Sequence, residues 1–181
     1  MKRSLIICMV VFLVAVCGGC GKQEMTLSTQ KYNRIVKQLQ THDELIQKGI
    51  EEISKLQDDK TVFIYINRSI IRKEYSKGEE ELKNTNETLI QLFSTIKGLN
   101  GITAEHDRID FGGWGSLLTS SIGFCYCPSG ALTIEDLMGV NAAGETIMMD
   151  DDTYYWHEQA GNNEAFIRKI KPNYFYYEIW W

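Results

Sequence analysis

The last nine residues, NYFYYEIWW, constrain the fold of this chain more than any other segment. Successive side chains of a β-strand point to opposite faces of the sheet, so Tyr174, Tyr176 and Trp180 would share one face. The opposite face of the same strand would be equally aromatic. A strand with one solvated face alternates apolar with polar residues, and this segment does not. We therefore predict a strand covered on both faces, by a helix on one side and by a loop or a partner on the other.

Aromatic residues are concentrated in the second half of the chain, with five in residues 22–100 and fourteen in residues 101–181. This half also contains short β-branched and aromatic runs separated by glycine-rich turns: RIDFGGWGSLL, SSIGFCYC, GETIMM, DTYYWHEQ and NYFYYEIWW. These runs predict a small, mostly antiparallel sheet of four to five strands over residues 100–181. TIEDLMG and NEAFIRKI predict two short helices, and Thr133 followed by Asp136 fits a capping box.

Apolar residues in the first half recur at intervals of three and four, which is the spacing of one helix face. One series covers residues 32–56 and a second covers residues 71–96, with a predicted turn at residues 58–60. This pattern predicts a long antiparallel helical hairpin over residues 29–99, with arms of ~30–35 residues. The predicted fold is therefore α+β, a helical hairpin followed by an aromatic-rich sheet. TVFIYINRSII is also dense in strand-forming residues, so a strand there is the alternative.

The first twenty residues have the organisation of an export signal. Lys2 and Arg3 give a positive start, residues 5–16 form an apolar run, and Gly19 precedes Cys20. The run is long enough for the core of a signal peptide and shorter than the ~20 apolar residues of a membrane span. This pattern resembles the signal peptide of bacterial lipoproteins.

The resemblance implies that residues 1–19 are removed and that the Cys20 thiol carries a diacylglyceryl group. Residues 20–28 would then form a tether between the membrane and the fold. The implied location is the cell envelope, anchored to a bacterial membrane and facing the periplasm or the exterior. The resemblance leaves the membrane of residence and the oligomeric state open.

The charge pattern excludes one class of partner. The formal net charge is −5 at pH 7, and lysine and arginine are not clustered. Such a chain lacks the basic surface with which proteins bind nucleic acid or anionic lipid. We therefore expect acyl chains to hold the protein at the membrane, and the expected partner is another envelope protein.

Cys125 and Cys127 in GFCYCPSG are predicted to point to the same face of a strand. The preferred interpretation is a disulfide or a pair of buried thiols. A redox enzyme would more often carry C-x-x-C at the start of a helix, where the helix dipole lowers the thiol pKa. A metal site would need further ligands, for which His106 and His157 are candidates. We expect neither a metal nor a cofactor.

The polar motifs predict no catalytic site. The three consecutive aspartates at 150–152 lack the alternating spacing of a calcium loop. His157 and Glu158 are not followed by the second histidine of H-E-x-x-H, and no serine lies in G-x-S-x-G. We therefore expect that the protein is not an enzyme, with a hydrolase assembled in space as the least favoured alternative.

Aromatic residues provide the candidate binding surface. Core packing is the alternative to a binding role for these side chains, because tyrosine and tryptophan are common both in cores and at interfaces. The leading hypothesis is non-catalytic binding or scaffolding at the membrane surface, through the hairpin and the sheet. The alternative is binding of a small ligand or glycan. The candidate surface consists of Tyr154, Trp156, Tyr174, Tyr176 and Trp180.

Overall fold

The computed structural model describes residues 27–57, 61–67, 70–75, 78–81, 86–105, 107–115, 119–138 and 144–181. The predicted signal peptide, Cys20 and the predicted turn at 58–60 lie outside these ranges. The helices are α1 (Thr29–Thr41), α2 (Asp43–Leu56), α3 (Glu87–Thr95) and α4 (Ile134–Met138). The strands are β1 (Val62–Asn67), β2 (Ile70–Tyr75), β3 (Gly78–Glu81), β4 (Gly101–Glu105), β5 (Arg108–Gly112), β6 (Ser120–Tyr126), β7 (Gly144–Asp150), β8 (Thr153–Glu158), β9 (Glu164–Lys171) and β10 (Tyr174–Trp180).

The ten strands form one antiparallel sheet in the order β3-β2-β1-β4-β5-β6-β10-β9-β8-β7. Strand β10 joins two parts of the sheet, because it pairs with β6 on one side and with β9 on the other. Its register places Tyr176 opposite Phe124 of β6 and Arg168 of β9. Within the described ranges, no helix is both long enough and apolar enough to cross a bilayer.

Helices α1, α2 and α3 cover one face of the sheet, which we call the helix face. The Ser28 side chain caps α1 by accepting a hydrogen bond from the Lys31 N–H at 3.5 Å. Asn86 caps α3 in the same way, through the Leu89 N–H at 3.1 Å. Residues of the first apolar series pack against the sheet rather than against a second long helix. Ile35, Leu39, Ile46 and Ile53 are buried with residues of β1, β4, β5, β6 and β10, and Leu56 is half-buried.

The opposite face, which we call the open face, is partly covered by α4 and the segment before it. Thr133 Oγ1 accepts from the Asp136 N–H at 3.2 Å, and the Asp136 carboxylate accepts from the Thr133 N–H at 2.8 Å. This reciprocal pair is the predicted capping box, and the helix predicted from TIEDLMG is confirmed. The buried apolar side chains on this side include Leu132, Ile134, Trp156, Ile167, Phe175, Tyr177 and Ile179.

Strand β10 is covered on both faces, as predicted from its aromatic sequence. Six of its seven residues are buried. On the helix face, the Tyr176 ring meets the Tyr32 ring of α1 edge to face, with 5.4 Å between the centroids. On the open face, Phe175 packs in the apolar cluster that includes Ile134 of α4.

The predicted long helical hairpin over residues 29–99 is wrong. Its first arm is interrupted at His42, whose φ of −123° and ψ of 26° are not helical. Its second arm is the hairpin strands β1 to β3 and the short α3. Val62 and Ile64 are buried whereas Phe63 between them is 44% exposed, which is the two-residue period of a strand. A helix that included Gly78 would also be about 1 kcal/mol less stable than one with alanine at that position.

The predicted extent of the sheet is also wrong, because the described residues form ten strands, seven of them within residues 100–181, where four to five were expected. The segment NEAFIRKI, predicted to be a helix, belongs to β9. Ala165 and Ile167 are buried on one face of β9, and Phe166 is buried on the other. An apolar run without alternation fits a strand covered on both faces and a buried helix equally well, so periodicity does not separate them.

The start of α1 is connected to β10 through Glu178, which is fully buried. Its Oε1 accepts a hydrogen bond from the Ser28 N–H at 2.9 Å and a second from the Tyr176 hydroxyl. Both donors thus offset part of the cost of burying this carboxylate. The bond to Ser28 joins residues that are 150 positions apart, so it fixes the N-terminal helix against the last strand.

We predict that Tyr176→Phe destabilises the fold by about 2 kcal/mol, because it removes a donor from a fully buried carboxylate. The matched variant is Tyr174→Phe, because the Tyr174 hydroxyl accepts from the amide of the exposed Gln47 at 2.5 Å. Gln47 can turn to water, so this variant should lose less than about 1 kcal/mol. Urea unfolding of both variants measures the difference, and equal losses would contradict this role of Glu178.

Candidate functional site

A cluster of charged side chains lies on the open face at β4 and β5. Arg108 Nε donates to Asp110 Oδ2 at 2.7 Å, and Arg108 Nη2 donates to Glu105 Oε2 at 2.9 Å. Arg108 Nη1 donates to the main-chain carbonyl of Asp136 in α4. The guanidinium therefore orients two carboxylates and links the sheet to the helix on its open face.

Burial controls the ionisation of this cluster. Desolvation raises the pKa of Asp110 to about 6, and the nearby Arg108 opposes the shift without cancelling it. Burial also opposes the charge on Arg108, but Asp110 and Glu105 outweigh it and raise the guanidinium pKa. The cluster at pH 7 therefore consists of one cation and two carboxylates.

Cys125 and Cys127 lie beside this cluster as free, buried thiols. Their Sγ atoms are 3.8 Å apart. Burial raises the pKa of Cys125 well above its usual range, with further contributions from Cys127 and Asp110. Because the thiolate is the nucleophile and the metal ligand, this environment disfavours both roles. No group of three or more histidine, cysteine or acidic side chains suited to a metal occurs in the part of the chain that the structure describes.

A small cavity of about 170 Å³, which we call the glycine cleft, opens on the same face beside Asp110. Its floor follows Gly101 of β4 and Gly112 of β5, which lie directly opposite each other in the sheet. Its polar lining comes from Asn100, Thr103, Asp110, Ser121 and Tyr177. A hydrogen bond connects Ser121 with Tyr177.

A larger cavity of about 480 Å³ lies between α4 and the open face of β8 to β10. Ile134, Ile167 and Phe175 contribute its apolar wall, and Tyr154 contributes an aromatic one. Lys169 lies at this cavity together with the acidic residues Glu135, Asp151 and Asp152. The volume falls within the range of small-molecule sites.

The aromatic residues proposed as a binding surface are distributed over both faces of the sheet. Trp156, Tyr174 and Tyr176 are buried, with exposed fractions of 2% or less. Trp180 is half-buried, and Tyr154 is 39% exposed. Three of the five side chains are therefore core residues, and Tyr154 is the one that offers an exposed ring.

Three of the seven exposed large apolar side chains in the described part of the chain lie next to one another on β7, at the edge of the sheet. Ile147 is 43% exposed, Met148 is 64% exposed and Met149 is 57% exposed. Sequence reasoning identified GETIMM as a strand but not as an edge, because strand order is not visible in a single sequence. It also missed Arg108 and Asp110, although their two-residue spacing in RIDFGG places both charges on one face of a strand.

Comparison with protein-family models, with curated protein sequences and with solved structures finds no match. The functional proposals below therefore rest on the sequence and the geometry of this chain.

We predict that Asp110 makes the fold less stable as the pH rises from 4 to 7. The carboxyl pKa is about 3.9 in an unfolded chain and about 6 in this fold. The native state therefore keeps a proton between these values that the unfolded state has released, so the free energy of unfolding falls with rising pH. Across this window, wild type should lose about 2 kcal/mol relative to Asp110→Asn.

Urea unfolding at pH 4 and pH 7 measures this difference. Asp107→Asn is the matched control, because Asp107 lies three residues from the Asp110 site and is exposed. It should keep the pH dependence of the wild type. If the free energy of unfolding changed with pH by the same amount in wild type and Asp110→Asn, the pKa of Asp110 would not be raised in the fold.

Proposed function

We propose that this protein is a lipid-anchored envelope protein with a non-catalytic binding role. Its partner would be an extended segment of another envelope protein, which adds as a strand to β7. The observation that carries this proposal is the exposed, apolar edge of the sheet at β7. An unpaired edge presents a row of N–H and C=O groups, which pair readily with an added strand.

The side chains of β7 favour such an added strand. Ile147 lies opposite Tyr155 and Met148 lies opposite Tyr154, so apolar side chains flank the edge on both faces of the sheet. Beyond β7 no further strand pairs with it among the described residues. Methionine side chains adapt to irregular partners, and exposed methionines are frequent on binding surfaces.

The charge of this hairpin favours a basic partner. Residues 144–158 contain five acidic residues and neither lysine nor arginine. A second copy of the same hairpin would bring ten carboxylates together, which argues against self-association through β7. A partner strand that alternates apolar residues with lysine or arginine would match both the apolar flanks and the charge. The acidic residues are Glu145, Asp150, Asp151, Asp152 and Glu158.

The opposite edge of the sheet has a different composition. Three of the four residues of β3 are glutamates. Charged residues are a common protection of edge strands against unwanted pairing. The contrast between the two edges supports β7, rather than β3, as the edge that accepts a strand.

Lipid attachment at Cys20 supports the envelope location. Cys20 lies eight residues before Ser28, where the described fold makes its first long-range hydrogen bond. A tether of this length spans at most ~28 Å. The fold would therefore remain close to the membrane surface, among other anchored proteins and the soluble domains of membrane proteins.

We predict that a peptide of alternating valine and lysine binds the protein at least about tenfold more tightly than one of alternating valine and glutamate. Isothermal titration calorimetry gives the affinities. Amide shifts in NMR spectra should be largest in β7. Equal affinities for the two peptides, or shifts confined to another element, would contradict strand addition at β7.

The matched variants place lysine on exposed apolar positions. Ile147→Lys with Met148→Lys should weaken binding of the valine–lysine peptide by at least about tenfold, because charged residues block an edge. Ile90→Lys alters an apolar residue of α3 that is 39% exposed and should leave the affinity unchanged. Sedimentation of the free protein tests whether β7 pairs with a second copy of this chain instead. A stable dimer that the β7 substitutions abolish would show that the partner is a second copy.

We predict that Cys20→Ser abolishes labelling with an alkyne analogue of palmitate and releases the protein from the membrane fraction. The thiol is the attachment point in the signal peptides that this sequence resembles. Cys17→Ser is the matched control, because it changes a neighbouring cysteine, and it should retain both the label and the location. Retention of the label in Cys20→Ser would refute the proposed anchor.

A further inference from the structure

The floor of the glycine cleft contains glycines at positions where a larger side chain would fit. Gly101, Gly112 and Gly123 lie opposite one another across β4, β5 and β6. A Cβ at Gly123 would overlap the Phe111 carbonyl and approach the Tyr177 hydroxyl to 2.8 Å, so packing alone requires that glycine. A Cβ at Gly101 would meet nothing nearer than 4.0 Å, and one at Gly112 nothing nearer than 3.7 Å.

A buried acceptor without a partner lies beside this floor. Asp110 is nine-tenths buried, with an exposed fraction of 9%, and lines the cleft. Its Oδ2 accepts from Arg108, but none of the described residues donates to its Oδ1. An unpaired oxygen of this kind is costly, which favours a ligand that supplies the missing donor.

The charge balance of the cluster beside the cleft favours a cation, and Asp110 is the charged residue that lines the cleft itself. Arg108 contributes one positive charge, and Asp110 with Glu105 contributes two negative charges. Burial raises the pKa of the adjacent Cys125 and Tyr177, so both are uncharged at neutral pH. Among the described residues of this cluster, one negative charge is therefore left without a counter-ion.

We propose that the glycine cleft binds a small organic cation that carries N–H donors, with a planar alkylguanidinium as the best-fitting class. One N–H would donate to Asp110 Oδ1, and the hydroxyl oxygens of Ser121 and Tyr177 would accept from others. The planar group would lie flat on the peptide planes at Gly101 and Gly112, where side chains are absent. The volume of about 170 Å³ accommodates roughly five water-sized groups, close to the size of methylguanidinium. This site lies on the β4–β6 part of the sheet and is independent of the β7 edge.

Calorimetry on the full protein with methylguanidinium chloride at constant ionic strength tests the proposal. We expect a Kd on the order of 1 mM, as befits a ligand of few atoms. Tetramethylammonium has the same charge without N–H donors and should bind at least about tenfold more weakly, as should potassium. Equal affinity for the three cations, or no heat with methylguanidinium at ten times the expected Kd, would overturn the proposal. If methylammonium bound as tightly as methylguanidinium, the assignment of a planar guanidinium as the ligand class would be wrong.

Two variants connect binding to the cleft. Gly112→Val fills the floor where space is available and should abolish binding, and Asp110→Asn should weaken it at least about tenfold. Asp107→Asn is the control and should leave the affinity unchanged. If Gly112→Val unfolds, as judged by circular dichroism, Gly101→Ala takes its place. Unchanged affinity in Asp110→Asn, or in a folded floor variant, would overturn the assignment.

Discussion

A strand that is aromatic on both faces controls the architecture of this protein. Strand β10 cannot leave either face in water without exposing tyrosine, phenylalanine or tryptophan rings, so the chain supplies a layer on each side. The helices α1 to α3 form one layer, and α4 with its preceding segment forms part of the other. Because β10 also pairs with β6 and β9, it is the last strand in sequence and an internal strand of the sheet.

Two buried carboxylates on opposite faces of the sheet illustrate two solutions to one electrostatic problem. Glu178 is stabilised by the Ser28 N–H and the Tyr176 hydroxyl, without a cation. Asp110 is paired with Arg108. Each carboxylate leaves one oxygen without a donor among the described residues, Oε2 in Glu178 and Oδ1 in Asp110. Glu178 connects α1 to β10, whereas Asp110 lines a cavity, and that position makes Asp110 the candidate binding group.

The sequence predicts the parts of this fold in which local pattern and tertiary environment agree. Double coverage of β10, the apolar face of α1 and α2, and the capping box at Thr133 all follow from the order of residues. The segment that includes β1 is wrongly predicted to be a helix, because the spacing of the second apolar series extends back to Arg68 and Ile64. The register that aligns Gly101 with Gly112, and the strand order that leaves β7 at an edge, depend on pairing between distant segments. Neither property can be obtained from local periodicity.

The hydrogen bond between Ser28 and Glu178 also has a mechanical consequence. If Cys20 is held in a membrane, any pull on the protein enters the fold at Ser28. The Ser28 N–H transmits that load to the side chain of Glu178 on β10, which is hydrogen-bonded along both edges to neighbouring strands. Force applied at this point would therefore reach β10 and, through it, β6 and β9 as well as α1. A pull from the membrane would then act on an internal strand of the sheet and not on an edge strand.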